Sequence, residues 1–527
     1  MTSDPRAAYD ELIRRFRELA TLASCSAVLG WDEQTFMPAE GAGLRGEQMA
    51  LLAGIHHQRA VDPMIGELLS LVEGSDLVSD PESDAAVNAR EWRRAFERRS
   101  RLPRELVETL ARTTTLAQQE WIGARRDSNF NRFRPWLDKI LALKRDEAAC
   151  LVELLPAAEG KEPTPYDALL DEYEPGARVA ELQGLFEALR GELVGLVQTI
   201  GEASARKREG LRGFSGEGGS RKTFPVDRQR IFGEAVAAAL GFDFRRGRLD
   251  VTAHPFCTGI GPGDVRITTR YDEHQFSEAF FGILHEVGHG LYEQGLPAEH
   301  FGTPLGEAVS LGVHESQSRL WENAVGRSPA FWSYWFPMAR RVFHQALHDV
   351  TREEFLAAIN QVAPSLIRVQ ADEVTYNLHI IIRFELEQEL LSAALPTSEL
   401  PSAWNRKYEQ MLGIRPPDDA QGCLQDIHWS AGLVGYFPTY TLGNIYAAQL
   451  FAKAQSDLPE LERSFSQGDY TPLREWLRDR VHRHGRRYRP AELIERATRS
   501  PIDHRPLLAA LRSKYGELYG IEPSVPA

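Results

Sequence analysis

Apolar residues return at three- and four-residue steps through most of this 527-residue chain, and that period dictates helices. Between positions 9 and 27, Leu12, Ile13, Phe16, Leu19, Leu22 and Ala23 mark one face of a helix. The same spacing recurs over 85–96, 103–122, 133–155, 179–200, 225–240, 353–362, 372–395 and 402–412, so the sequence predicts a mostly α protein. One region departs from it. Short β-branched runs at 248–256 and 264–271 flank the turn-rich segment 257–263, and they read as two strands of a small sheet. An exposed edge there could take an extended peptide as an added strand. The glycine-rich, charged segment 209–222 reads as a mobile surface loop. With no internal repeat and no low-complexity linker, 1–527 is expected to be a single helical unit. Its N-terminal helical part covers about 1–245, a central part of strands and helices about 246–440, and C-terminal helices about 441–527.

Charge and composition exclude several classes of partner. A formal net charge of −14 disfavours nucleic acid, because phosphate backbones are bound by basic surfaces. No stretch approaches the roughly 20 apolar residues needed to cross a bilayer, so no membrane partner is expected. The N-terminus lacks an apolar secretory core. The cysteines, Cys25, Cys150, Cys257 and Cys423, are widely spaced without a CxxC pair, which predicts free thiols in a reducing, cytoplasmic setting.

The strongest chemical signal is His285-Glu286-Val287-Gly288-His289. Residues four apart on a helix lie about 5–6 Å from one another on one face, so both imidazoles can reach a single ion. Leu284, Val287 and Leu291 give this segment an apolar face, and Gly295 followed by Pro297 supplies a stop. Two histidines and a glutamate on an apolar helix are costly to bury without partners, which favours a metal-ligand role over a core role. Zn2+ suits imidazole and carboxylate ligands with one position left for water, and Glu286 is placed to take that water's proton, which implies peptide hydrolysis. Two glutamates compete as third ligand, Glu307 lying 18 positions after His289 and Glu315 lying 26 after it; spacing leaves both open.

Several further motifs resemble those of the carboxypeptidase Taq family, peptidase family M32. They are His254-Pro255-Phe256; Asp264, Arg266 and Thr268; His314-Glu315-Ser316-Gln317; and Gly422, Gln425, Asp426, His428 and Trp429. Similarity also runs through Trp31-Asp32, Met37-Pro38, the segment 166–176 and the segment 383–387. The resemblance implies Glu315 as the third ligand, with Glu307 as the fallback. It also implies a neurolysin-like zincin fold with a deep central groove and a small β-sheet beside the zinc helix, a homodimer, and release of C-terminal residues from peptides with broad specificity.

Hydrolysis needs a donor for the developing oxyanion, and His428, with Tyr436 or Tyr440, is the candidate. A free C-terminal carboxylate calls for a forked arginine, Arg266 on the expected edge strand or Arg383. His254 and His314 are expected to orient ligands, whereas His56, His57, His482 and His484 read as solvated or capping. Co2+ or Mn2+ could substitute for Zn2+. An oligoendopeptidase acting on short peptides, or a non-catalytic zinc-stabilised binding protein, are the competing readings. The latter is disfavoured by Glu286, which a purely structural site does not need.

Overall fold

The computed structural model describes residues 4–158, 160–207 and 222–521; nearly all of the expected surface loop 209–222 lies outside them. Helices dominate, as the period requires, and local signals set their ends. Asp4 caps Pro5–Thr35 through a side-chain bond to the Arg6 amide, and Thr164 and Asp167 form a reciprocal capping box on Pro165–Tyr173. Most of the chain shares one hydrophobic core that reaches from Ala117 to Tyr519. A smaller core, built on Leu12, Ile65, Leu69 and Trp92, joins the first helix to Pro63–Glu73 and Asp84–Arg101.

The sheet has three strands rather than the two expected. β1 (Gly247–Val251) runs parallel to β3 (Asp264–Thr269), and β2 (Cys257–Gly261) runs antiparallel to it, giving the order β1-β3-β2. The segment read as a turn therefore supplies a strand. Its glycines carry weak local preference, and pairing with β3 overrides it. Phe256 and Thr268 bind each other, the Phe256 amide donating to Thr268 Oγ1 (2.8 Å) and that hydroxyl to the Phe256 carbonyl (3.0 Å), so two of the sequence motifs form one structural unit. Val265 and Ile267 are buried on the face of β3 that packs on the next helix.

That helix, Phe276–Gly295, carries the HEVGH segment. Its apolar side, including Phe276, Phe280, Ile283, Leu284 and Val287, is buried, and Phe276 and Phe280 stack at 5.2 Å between ring centroids. The helix Leu311–Arg319 crosses close by, capped by Ser310, whose hydroxyl accepts from the Val313 amide. A Cβ at Gly288 would sit 2.5 Å from the Gln317 carbonyl oxygen, so only glycine allows this approach. The long helix Pro438–Asp457 closes the other side; a Cβ at Gly443 would lie 2.5 Å from Glu315 Cγ. Leu320–Val325 continues the second helix as a π-helix, a local widening that is common at functional sites. Among the described residues no helix is long and apolar enough to cross a membrane.

Candidate metal centre

His285, His289 and Glu315 converge, with one potential ligand atom from each lying within 4.8 Å of the others. Glu315 Oε2 is 3.6 Å from His285 Nε2 and 3.5 Å from His289 Nε2. The remaining polar atoms of all three are already held. His285 Nδ1 meets Glu322 Oε2 at 2.9 Å, and Glu315 Oε1 accepts from Arg319 Nε at 2.7 Å. His289 Nδ1 meets His314 Nδ1 at 2.5 Å, while His314 Nε2 meets Glu293 Oε1 at 2.8 Å. A carboxylate only accepts, so with neutral rings each chain of tautomers is fixed: Glu322 keeps the proton of His285 on Nδ1, and Glu293, through His314, keeps that of His289 on Nδ1. Both Nε2 lone pairs then face Glu315 Oε2. Two imidazole nitrogens and one carboxylate oxygen, each oriented from behind, fit a divalent transition ion.

Electrostatics hold the Glu315 and Glu322 carboxylates ionised and His289 neutral, whereas for His285 burial is outweighed by the charges of Glu315 and Glu322, which raise its value. Burial would raise the Glu315 carboxyl, but Arg319, His285 and His289 outweigh it and hold the group well below its usual range. Burial likewise opposes ionisation of Glu322, yet Arg319 and His285 bring it down to about 2. His289 is pushed down to about 3, chiefly by burial, which keeps it neutral. Glu286 is the contrasting case. It is 6% exposed, its Oε2 has no hydrogen-bond partner among the described residues, and burial lifts it to about 7, a value suited to proton transfer near neutrality.

Facing this cluster is the segment 426–440. His428 Nε2 lies 3.2 Å from the Tyr440 hydroxyl, and the Tyr436 ring packs 5.3 Å from the His428 ring. Burial holds His428 down at about 3 and raises both phenols, with the charge of Glu315 adding to each rise. Two buried carboxylates brace the segment. Asp426 receives Arg368 (2.8 Å) and Arg383 (2.6 Å), while Glu387 accepts from Tyr166 Oη, Trp429 Nε1 and the Gly435 amide. A cavity of about 660 Å3 runs from Glu293 and His314 along β2, past Gly259 and Gly261, to Tyr173 and Arg99.

The carboxypeptidase Taq (M32) metallopeptidase model matches residues 11–515. The chain belongs to that family. It is 51% identical to thermostable carboxypeptidase 1 of Thermus thermophilus, over 98% of this chain and 100% of the relative. It is 36% identical to carboxypeptidase 1 of Bacillus subtilis, over 97% and 98%. The crystal structure of the M32 carboxypeptidase of Deinococcus radiodurans R1 superposes with a TM-score of 0.91 at 44% identity, covering 98% of this chain and 100% of that one. The protein is accordingly a metallocarboxypeptidase acting on peptides, with the mostly helical M32 fold.

Within this M32 framework several expectations need correction. Arg383 is fully buried; Nε donates to Asp426, Nη1 to the His379 carbonyl and Nη2 to Gln425, so its fork is committed to the interior and offers a substrate nothing. Arg266 lies on the central strand β3, not on an edge, where Asp264 receives Nε and Nη2 and the Trp31 ring lies 4.2 Å beneath; Nη1 has no hydrogen-bond partner among the described residues. His254 is exposed and, among the described residues, makes no hydrogen bond to the His285, His289 and Glu315 cluster. His482 is 1% exposed and meets Gln317 Oε1 at 2.9 Å, so it braces the HES helix instead of facing solvent. Glu307 pairs with Arg486 at 3.0 Å, away from the cluster.

Four functional neighbours escaped the sequence reading. Glu293 is one helical turn after His289, and Glu322 two turns after Glu315; those spacings were available as signals. Glu174 is the third. Its buried carboxylate accepts from the Gly312 amide and the Tyr446 hydroxyl, both at 3.0 Å, and so anchors the start of the helix that carries Glu315. Arg368, the fourth, places its guanidinium 5.0 Å over the Tyr440 ring and donates to the Tyr376 hydroxyl. Nothing in local spacing marks the last two.

Proposed function

We propose that this metallocarboxypeptidase is a zinc enzyme in which His285, His289 and Glu315 hold the ion and Glu286 is the general base. The observation that carries the reading is the convergence of two Nε2 atoms and Glu315 Oε2, with every opposite polar atom already bonded. When bound, the ion supplies Lewis acidity and lowers the pKa of its water from 15.7 to about 7. The chain's own groups do the rest. Glu286, desolvated and without a competing hydrogen bond on Oε2, takes a proton from the attacking water and returns it to the leaving amine. Tyr440 and His428, paired at 3.2 Å, donate to the carbonyl oxygen as it gains charge, with Tyr436 packed alongside. The open side of β2 aligns the peptide backbone as an added strand along the adjoining cavity.

The terminal carboxylate goes to an arginine fork. Arg266, whose Nη1 has no hydrogen-bond partner among the described residues, is the group for that role, because Arg368 gives its fork to Asp426 and the Tyr376 hydroxyl just as Arg383 gives its own to the interior. We further take the enzyme to be a single unit that forms a cytoplasmic homodimer; the four free thiols accord with a reducing compartment. Light scattering tests the dimer. The central experiment pairs metal analysis with mass-spectrometric product mapping on a peptide ladder. Stoichiometric zinc, stepwise loss of single C-terminal residues and blockage by C-terminal amidation are expected; internal cleavage of amidated peptides would identify an endopeptidase.

A further inference from the structure

A second cavity, of about 310 Å3, lies behind the groove. Its walls are the helix Asp84–Arg101, the segment Leu154 to Pro156, the turn at Gly176 and Arg178, and Arg489 at the start of the helix Pro490–Thr498. Six arginines line it, Arg90, Arg93, Arg94, Arg98, Arg178 and Arg489, against two acids, Glu97 and Asp171. Like charges gathered in a recess repel one another unless each is matched, so the question is which guanidinium groups are matched.

Four of them are. Arg90 binds Glu91 at 2.9 Å and Arg93 binds Glu73 at 2.6 Å, while Arg94 and Arg98 share Asp171 at 2.8 and 3.2 Å. Arg178 and Arg489 are different. Among the described residues Arg178 donates only to the backbone carbonyls of Ala177 and Pro156. Among the described residues the Arg489 guanidinium makes no hydrogen bond, and the one carboxylate within ion-pair range, Glu91 Oε1 at 3.6 Å, is already taken by Arg90. Burial, with repulsion from Arg94 and Arg90, outweighs the attraction of Glu91 and Asp171 and pulls Arg489 below its ordinary value. Two cationic forks thus border one recess with unused N–H donors.

We propose that this cavity binds a small oxyanion of the phosphate class, held by Arg489 and Arg178. A tetrahedral oxyanion offers several directed acceptors to planar forks and cancels the unmatched charge, which a spherical halide does only in part. The volume greatly exceeds the roughly 30 Å3 of one water, so a free ion and a phosphoryl group carried on a peptide both fit. The site shares Arg94 and Arg98 with the peptide groove and contains none of the metal ligands, so it stands independently of the hydrolytic reading.

The test is titration of the metal-loaded protein with inorganic phosphate, and in parallel with a phosphoserine peptide, against chloride at equal ionic strength, read by calorimetry and by thermal midpoint. Saturable binding that chloride does not reproduce is expected, weakened about tenfold or more in both Arg489→Gln and Arg178→Gln. Among the described residues Arg489 makes no hydrogen bond and only the 3.6 Å ion pair with Glu91, which Arg90 continues to hold, so Arg489→Gln should fold and melt close to the parent without phosphate. Binding of either ligand with that loss supports the site and identifies its source. No saturation, equal effects of chloride, or undiminished phosphate binding in both variants, as for an ion held at the metal centre, overturns it.

Discussion

Glu322 holds His285 by Nδ1 at 2.9 Å from a π-helical turn on a different helix, leaving Nε2 turned toward Glu315. A carboxylate behind a ligand histidine fixes its tautomer and raises its basicity. Replacing Glu322 with alanine is therefore expected to weaken metal affinity by about 10–100-fold while the fold persists. Competition with a chelator, followed by metal analysis, measures it; unchanged affinity would remove Glu322 from the ligand-orienting role.

Glu286→Gln separates holding the metal from using it. The substitution keeps the size of the side chain and leaves His285, His289 and Glu315 in place, so stoichiometric metal is expected to remain. Turnover should fall by about 10²–10⁴, the usual contribution of a general base. Retained turnover would sink the assignment.

The proposed oxyanion donors are tested by Tyr440→Phe and His428→Ala. Each is expected to lower kcat by about 10²–10³ with a much smaller effect on KM, because the interaction strengthens only as charge develops. Tyr436→Phe distinguishes packing from donation; its ring contacts survive the change, so a fall as large as that of Tyr440→Phe would make it a donor.

Glu387 predicts a pH dependence of stability. Burial raises its carboxyl from 4.5 to about 7, against the hydrogen bonds from Tyr166, Trp429 and the Gly435 amide. The folded state binds this proton more tightly than the unfolded one. Its stabilising effect is complete below 4.5 and is lost as pH rises through about 7, at a limiting cost of about 3 kcal/mol. Denaturation midpoints of the parent and Glu387→Gln should therefore diverge between those values, with the variant losing less on going alkaline. A difference that stays constant with pH would contradict the sign.

Gly288→Ala tests the close approach of the two helices that carry His285, His289 and Glu315. The added Cβ meets the Gln317 carbonyl at 2.5 Å, and relieving that overlap is expected to cost about 1–3 kcal/mol and to loosen metal binding. Chemical denaturation and chelator competition read the two effects together.

The sequence alone determined what is local. A three-to-four-residue apolar period makes helices wherever it occurs, and two histidines four apart share a face of any helix, so the mostly α fold and the pair His285 and His289 could be read directly. The motifs around Glu315 and His428 placed further groups in the site only through resemblance, because neither distance nor burial is written in spacing. Tertiary structure decided the remainder. It made 257–261 a strand by offering β3 as a partner, buried Arg383 and His482 in interior bonds, turned Glu322 onto His285 and Glu293 onto His314 across two facing helices, and brought Glu174 from a distant part of the chain to the start of the helix that carries Glu315. Which buried polar group finds which partner depends on how helices cross, and crossing is settled by whole-core packing together with glycines such as Gly288 and Gly443, not by any single segment.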